Sequence, residues 1–538
     1  MLDEAGDYES LTRAFRWKVP ERYNIGVDVC DRWAAVAPDR VAIVEVDAAG
    51  AVVPWTYADL RAASNRLANA LVARGVGPGD RVAILLPQSA AVAVAHIALY
   101  KIGAIALPLA LLFGVDALSY RLRDAGAKGL IATGAGIDKI AGLDLPDLAC
   151  VLCVDGAAAG PGRDAVSFHA ALEAEGPDFA PRDTAADDPA MMIYTSGTTG
   201  QPKGALHAHR VLLGHLPGVQ MHHAFLPKPG DRLWTPADWA WAGGLLNVLL
   251  PGLHFGVPVV ARKLEKFDPD DAWRLMLEQG VANAFIPPTA LRMLRAAGAP
   301  PQGLALRTVG SGGEALGAET VAWGREALGL TINEFYGQTE CNLVLSSCAA
   351  IGVSRAGAIG RAVPGHTVGV IREDGTPCDP EEPGQIAVRR PDPVMFLGYW
   401  KREAATRAKF VGDWMTTGDQ GVADADGYVR FVGRDDDLIT SAGYRIGPAE
   451  IEDCLLRHPA VSLAAVVGKP DPVRTQIVKA FVVPREGVAP SDALVEDIRA
   501  FVRTRLSAHE YPREIVFRDS LPLTTTGKVI RRLLRDEG

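Results

Sequence analysis

Apolar positions between residues 81 and 132 come in short unbroken runs rather than in alternation. Residues 82–86 (Val-Ala-Ile-Leu-Leu) predict a buried strand that stops at Pro87. Residues 104–107 and 129–132 predict two more, and 89–102 and 114–125 read as the helices between them. Strands that are apolar on both faces and separated by helices imply a parallel sheet covered on both sides. The predicted class is therefore α/β, with ligands outside the carboxyl ends of the strands. Residues 191–194 and 306–309 predict further strands of this kind.

The last hundred residues follow another rhythm. A short helix over 448–457 has Pro in its first turn, and strands are predicted at 461–467, 477–483 and 514–517. A helix over 491–506 sets Ile498 and Val502 four apart. This is a small α+β unit, and the join falls near residues 432–437. The predicted division is a large α/β portion of several subdomains, 1–433, and a small mobile portion, 434–538. Residues 239–261 carry no charge, which is long enough for a membrane helix. Pro251, Pro258, four glycines, Asn247 and His254 interrupt the stretch, so it reads as buried globular structure with no membrane span.

Composition narrows the picture. The chain has 538 residues, 48% hydrophobic and 22% charged, which excludes a disordered tail, a coiled coil and a collagen-like fibre. A net charge of −9 gives no basic stripe for nucleic acid. Gly 56 and Pro 37 require many turns. Seven cysteines in a chain this long are no disulfide scaffold, and a reducing cytoplasm is the simplest setting. Cys150 and Cys153 form C-x-x-C inside an apolar run and read as core. The acidic first residues do not form a signal peptide.

The strongest chemical signal is residues 194–204, Tyr-Thr-Ser-Gly-Thr-Thr-Gly-Gln-Pro-Lys-Gly. It follows a strand and is expected to lead into a helix-like stretch from Leu206. Glycines let backbone N–H groups approach an anion, and hydroxyls and Lys203 add donors, as a polyphosphate requires. The spacing is not that of a Walker loop, because five residues after Gly197, where that motif has its second glycine, stands Pro202. Further on come Ser311-Gly312-Gly313-Glu314, then Asn333-Glu334-Phe335-Tyr336-Gly337-Gln338-Thr339-Glu340 and Thr416-Thr417-Gly418-Asp419. Gly433-Arg434-Asp435-Asp436-Asp437, residues 441–450 (Ser-Ala-Gly-Tyr-Arg-Ile-Gly-Pro-Ala-Glu) and residues 522–528 (Pro-Leu-Thr-Thr-Thr-Gly-Lys) complete the series.

In this order and spacing the motifs resemble the adenylate-forming superfamily of acyl-CoA synthetases, luciferases and peptide-synthetase adenylation domains, over residues 28–534. The form of residues 334–340 is similar to the short- and medium-chain acyl-CoA synthetase branch. The resemblance implies a ligase that joins a carboxylic acid to AMP with release of pyrophosphate. It then transfers the acyl group to CoA, with Mg²⁺ as cofactor and ATP and CoA as co-substrates. It implies that Thr195, Ser196, Gly197, Thr198, Thr199, Gly200 and Lys203 embrace the phosphates. Gly313, Glu314, Glu334, Phe335 and Tyr336 would meet the adenosine, with Tyr336 stacked on the base. Asp419 would accept from the ribose hydroxyls beside Arg434, Glu340 would hold Mg²⁺, and Thr339 would reach the α-phosphate.

The same resemblance implies catalytic roles for Lys528, Thr339, Glu340 and Arg445, Lys528 bridging carboxylate and α-phosphate during adenylation. Asp436 would be the hinge of the small portion, though Asp435 and Asp437 leave the assignment open by one. Ser441, Ala442, Gly443 and Tyr444 would face CoA. Thr440 departs from the Lys or Asn of many relatives. Trp241, Gly312 and Gly337 would line the acyl pocket, the two glycines leaving open the space that bulkier residues close in acetate-specific relatives. That implies acids of about three to eight carbons, branched ones included, over acetate. A lysine acyltransferase acting on Lys528 is a partner the charge of that residue suggests. His207, His209, His222 and His223 read as packing residues, not as a metal site, and no residue announces itself as base for the CoA thiol. The alternatives are an adenylation domain that loads a carrier protein, with Asp238 the only nearby acid for an amine, an aryl- or acetyl-CoA synthetase, and an ATP-sensing protein without chemistry.

Overall fold

A computed structural model describes residues 1–156, 165–195, 201–264, 266–434, 437–441, 444–471, 475–506, 511–523 and 529–537, without the side chains of Thr440, Tyr444, Arg445 and Glu450. The predicted run of short apolar strands forms an eight-stranded sheet. Arg81–Leu85 lies between Ile105–Pro108 and Gly129–Ala132, parallel to both. Cys150–Cys153 continues the parallel set, so the C-x-x-C is buried sheet core. The helix between the first two strands, Ala90–Ile102, is buried almost throughout, its Lys101 paired with Asp31 at 2.6 Å, and Gly103 ends it at φ 77°.

A nine-stranded sheet forms the other half of the body. Its parallel centre includes Val259–Arg262, Leu233–Trp234, Asn283–Phe285, Thr308–Gly312 and Asn333–Gln338. The charge-free stretch is consumed by buried short helices, among them Leu250–Phe255, before the strand Val259–Arg262. No helix among the described residues is long and apolar enough to cross a membrane.

One expectation is corrected. The glycine-rich segment does not lead from a strand into a helix. Pro189–Thr195 pairs antiparallel with Lys203–Ala208, with Thr195 opposite Lys203 and Met192 opposite Leu206. The helix starts only at Val211. Residues 203–208 sit beside an existing sheet edge, and Gly398–Tyr399 adds itself on their far side. Edge pairing therefore overrides the helical reading of Leu206 onward.

A third, five-stranded sheet is antiparallel and carries Trp414–Ala423 and Val429–Arg434. The last sheet contains Val461–Asp471 and Thr475–Pro484, a long hairpin, with Glu514–Phe517 parallel to the latter. It has its own core of Ile439, Ile451, Leu455, Val466, Val482, Ile498 and Val502.

Candidate active site

The motif residues arrive at strand ends, as the parallel arrangement requires. Thr195 closes its strand, Gly313 and Glu314 follow Thr308–Gly312, and Thr339 and Glu340 follow Asn333–Gln338. Gly313 sits at φ 94°, in the left-handed region where a side chain is strained.

Strand pairing sets Asp419 directly opposite Arg434. The Arg434 guanidinium lies 3.4 Å from Asp419 Oδ1. The Tyr336 hydroxyl donates to Asp419 Oδ2 at 2.5 Å, and the Gln338 amide donates to the same oxygen at 2.7 Å and to the Thr417 carbonyl at 2.8 Å. Asp419 is buried, which raises its pKa, while Arg434 and the hydrogen bonds from Tyr336 and Gln338 oppose the rise. Burial, then the charge of Asp419, lift the Tyr336 phenol well above its ordinary value. Three separated motifs thus converge on one carboxylate.

Glu340 is the second buried acid. Its carboxylate accepts the Tyr399 hydroxyl, and its carbonyl accepts Phe396 N–H at 2.9 Å. The Lys203 ammonium lies 5.1 Å from the centre of the Tyr399 ring. Tyr399 and Gln338 were not assigned roles from the sequence. Gln338 stood inside a motif, but Tyr399 lies in a segment without one. Thr339 occupies the turn after Gln338.

Glu314 is held by Thr289 Oγ1 and Arg292, each at 2.9 Å, partners that no motif announced. Glu334 accepts Leu316 N–H at 3.3 Å. Burial pushes its carboxyl up to about 7, that hydrogen bond lowers it, and the charge of Asp453 adds to the rise. Asp453 belongs to the last portion of the chain, and one of its oxygens is 2.6 Å from where a Cβ on Gly317 would stand. The Arg531 guanidinium is held above its ordinary value. Burial works against this, but Glu452, Asp437 and Glu314 outweigh it. The small portion therefore docks against the segment that carries Glu314 and Glu334.

The two glycines expected to leave the acyl pocket open do not border open space. A Cβ on Gly312 would stand 2.6 Å from the Phe335 ring, and one on Gly337 would stand 1.1 Å from the carbonyl oxygen of Asn342. The hairpin that turns back from Asn333–Gln338 to Asn342–Ser346 fills the second position. Gly337 is thus required by close approach of backbone, and the expected vacancy is corrected. Phe335 does not join the Asp419 cluster. Its ring stacks on His222 at 4.6 Å and contacts Phe285 at 5.3 Å, on the face opposite Tyr336. Trp241 meets Phe113 edge-on at 5.6 Å.

His207, His209, His222 and His223 are buried, and burial holds each below its ordinary pKa. They are neutral rings in the core, His223 at 2.8 Å from Thr308 Oγ1. Among the described residues no group of three His, Cys, Asp or Glu is placed to share a metal. Burial also raises Asp238 to about 6, and its carboxylate accepts Ala240 N–H at 2.9 Å. Ser441 is buried at the end of Ile439–Ser441, and Arg445 and Tyr444 follow in the paired strand Tyr444–Ile446. Ser196, Gly197, Thr198, Thr199, Gly200, Asp436, Ala442, Gly443 and Lys528 lie outside the described residues, as do the side chains of Tyr444 and Arg445.

Residues 30–400 match the AMP-binding enzyme family, and residues 450–528 match the AMP-binding enzyme C-terminal domain. The chain is 34% identical to the acetyl-coenzyme A synthetase of Bacillus subtilis, over 98% of this chain and 94% of that protein. It is 32% identical to human mitochondrial acyl-coenzyme A synthetase ACSM4, over 99% of this chain and 93% of that protein. Its fold is similar to the crystal structure of Brucella canis acyl-CoA synthetase, with a TM-score of 0.76, 34% identity and 99% of each chain covered.

Proposed function

The chain belongs to the AMP-binding enzyme family and is an ATP-dependent acid–CoA ligase working through an acyl-adenylate, and from that premise we propose how its site divides the work. The observation that carries the reading is the convergence of Tyr336, Gln338 and Arg434 on Asp419. Oδ2 already accepts two donors, so a ribose hydroxyl meets Oδ1 beside Arg434. Tyr336, fixed through its hydroxyl, offers its ring to the base. Residues 195–204 take the phosphates of ATP. Adenylation brings an anion to a polyanion, and fixed donors and cations must offset that charge.

The hard carboxylate of Glu340 fits Mg²⁺, which prefers such oxygens. Among the described residues Tyr399 is the one side chain hydrogen-bonded to it. Mg²⁺ would supply charge neutralisation at the phosphates. Lys528 serves adenylation, and the small portion, from about residue 434, then turns about Asp436 to present residues 441–444 to CoA. Arg445 belongs to that working face. A lysine acyltransferase could silence Lys528 by removing its charge. Seven free cysteines, six of them buried, support a reducing, cytoplasmic setting.

The acid itself is small and apolar-tailed, about three to eight carbons, branched chains included. The Phe285 and Phe335 rings, 5.3 Å apart, with Phe335 beside Gly312, support an apolar tail, and the glycines do not support its length. Pyrophosphate release is to be followed across acetate through octanoate with branched and aryl acids, with and without CoA. Acyl-CoA and AMP should form together, with a preference of about ten-fold for the longer acids over acetate, because each buried CH₂ is worth about 0.8 kcal/mol. Acyl-adenylate that CoA never consumes would favour carrier loading instead. Better turnover of acetate than of butyrate would overturn the size assignment.

A further inference from the structure

The helix Val115–Ala125 lies outside every motif, yet it reaches both ends of the glycine-rich segment. At the entry, the Tyr194 hydroxyl donates to Asp124 Oδ2 at 2.7 Å. At the exit, the Tyr120 hydroxyl donates to the Pro202 carbonyl at 2.9 Å. Residues 120 and 124 are one turn apart and share a helix face. The rings of Tyr120 and Tyr194 meet edge-on at 6.3 Å.

Asp124 has a second set of partners. Arg402 lies 3.1 Å from its Oδ1, and Trp400 Nε1 donates to its carbonyl at 3.1 Å. Trp400 N–H also donates to the Gly204 carbonyl at 2.8 Å. Residue 399 of the same segment is the tyrosine whose hydroxyl meets Glu340. Asp124 is therefore tied to both flanks of the segment and to the strand that touches the acid assigned to Mg²⁺. Its side chain is only 12% exposed whereas that of Arg402 is 45% exposed, so the Tyr194 contact is the more sheltered one.

We propose that Asp124 and Tyr120 are positioning residues for the triphosphate: they fix the strand that ends at Thr195, the backbone at Pro202–Gly204 and, through residues 398–402, where Glu340 stands. The proposal rests on residues 195–204 holding the phosphates. Flanks anchored in advance lower the ordering cost of binding a polyanion between them. Neither residue touches the adenosine half of the site. The consequence is selective: the clamp matters for ATP and not for AMP.

The test uses the full chain and measures Kd by calorimetry for Mg·ATP and for AMP separately. Asp124→Ala should weaken Mg·ATP about ten-fold and leave AMP within about two-fold. Tyr120→Phe and Tyr194→Phe, which each remove one oxygen, should show the same split at about three-fold. Asp124→Asn keeps an acceptor for Tyr194 and should recover most of the loss. If Asp124→Ala does not fold, the Tyr120→Phe/Tyr194→Phe double variant carries the test. Equal weakening of ATP and AMP, or unchanged ATP affinity in folded variants, overturns the proposal. Should the ligase reading fail instead, the wild type would make no acyl-CoA from any acid while the ATP-selective loss persisted.

Discussion

Asp419, Tyr336, Gln338 and Arg434 form the proposed nucleotide side of the site, and Gly312, Gly337 and the rings around them the proposed acyl side. The first side is a charged network whose members are 2.5 to 3.4 Å apart. The second is shape: Phe335 lies over Gly312, and the Asn342 carbonyl crowds Gly337. The nucleotide is the same for every acid, so its side can be specified by residue type. The acid varies, and its side depends on how backbones and rings approach one another. Two kinds of damage should follow, one confined to the nucleotide and one spread over all substrates.

The largest effect is expected at Gly337. Any Cβ there collides with backbone, not with a side chain that could swing aside. Gly337→Trp should lower kcat/KM by about 100-fold or more for acetate, butyrate and octanoate alike, with lost stability of several kcal/mol. Assays across the three acids decide the matter. A shift toward acetate with the hairpin intact would mean that the two sides are not built differently after all, and that Gly337 is a size filter.

A smaller and cleaner effect is expected at Asp419. Asp419→Asn keeps the size but weakens a charge-assisted network, so kcat/KM for ATP should fall about 10- to 100-fold. Selectivity among acids should not move. The melting temperature should hold, because burial already makes ionised Asp419 costly. A changed ratio of acids in this variant would couple the two sides and blur the comparison.

How far each side was legible follows the same line. The α/β class and the strands at 82–86, 104–107 and 129–132 were readable because parallel strands are apolar on both faces. Asp419, Arg434, Tyr336 and Glu340 were readable as motif residues because their chemistry demands particular side chains, and the structure brings the first three together. Tyr399 and Asp124 were not, because their contacts arise from sheet-edge pairing and a helix face that no local pattern encodes. The strand Lys203–Ala208 was misread for the same reason: its partner is distant in sequence, and Leu206 alone does not reveal it. The space at Gly312 and Gly337 was misjudged because a missing side chain says nothing of what a neighbour puts in its place.

The smallest effect concerns Glu334, where the nucleotide side meets the small portion. Its carboxyl is raised from 4.5 to about 7, chiefly by burial, with the charge of Asp453 adding to the rise. A carboxyl raised in the folded state binds its proton more tightly there than when unfolded. Its contribution to stability is therefore complete below about pH 4.5 and fades as the pH rises through about 7. Glu334→Gln removes this dependence while keeping an oxygen for Leu316 N–H. Above pH 7 the variant should be more stable than the wild type, by on the order of 1 kcal/mol because the side chain is partly exposed. Below pH 5 the two should converge. Asp453→Asn should shrink the same slope, since one source of the shift is its charge. Denaturant unfolding at pH 5, 6, 7 and 8 reads both predictions. Parallel wild-type and Glu334→Gln stability curves across that range would show that Glu334 stays ionised, and would remove this acid as a link between the nucleotide side and the docked small portion.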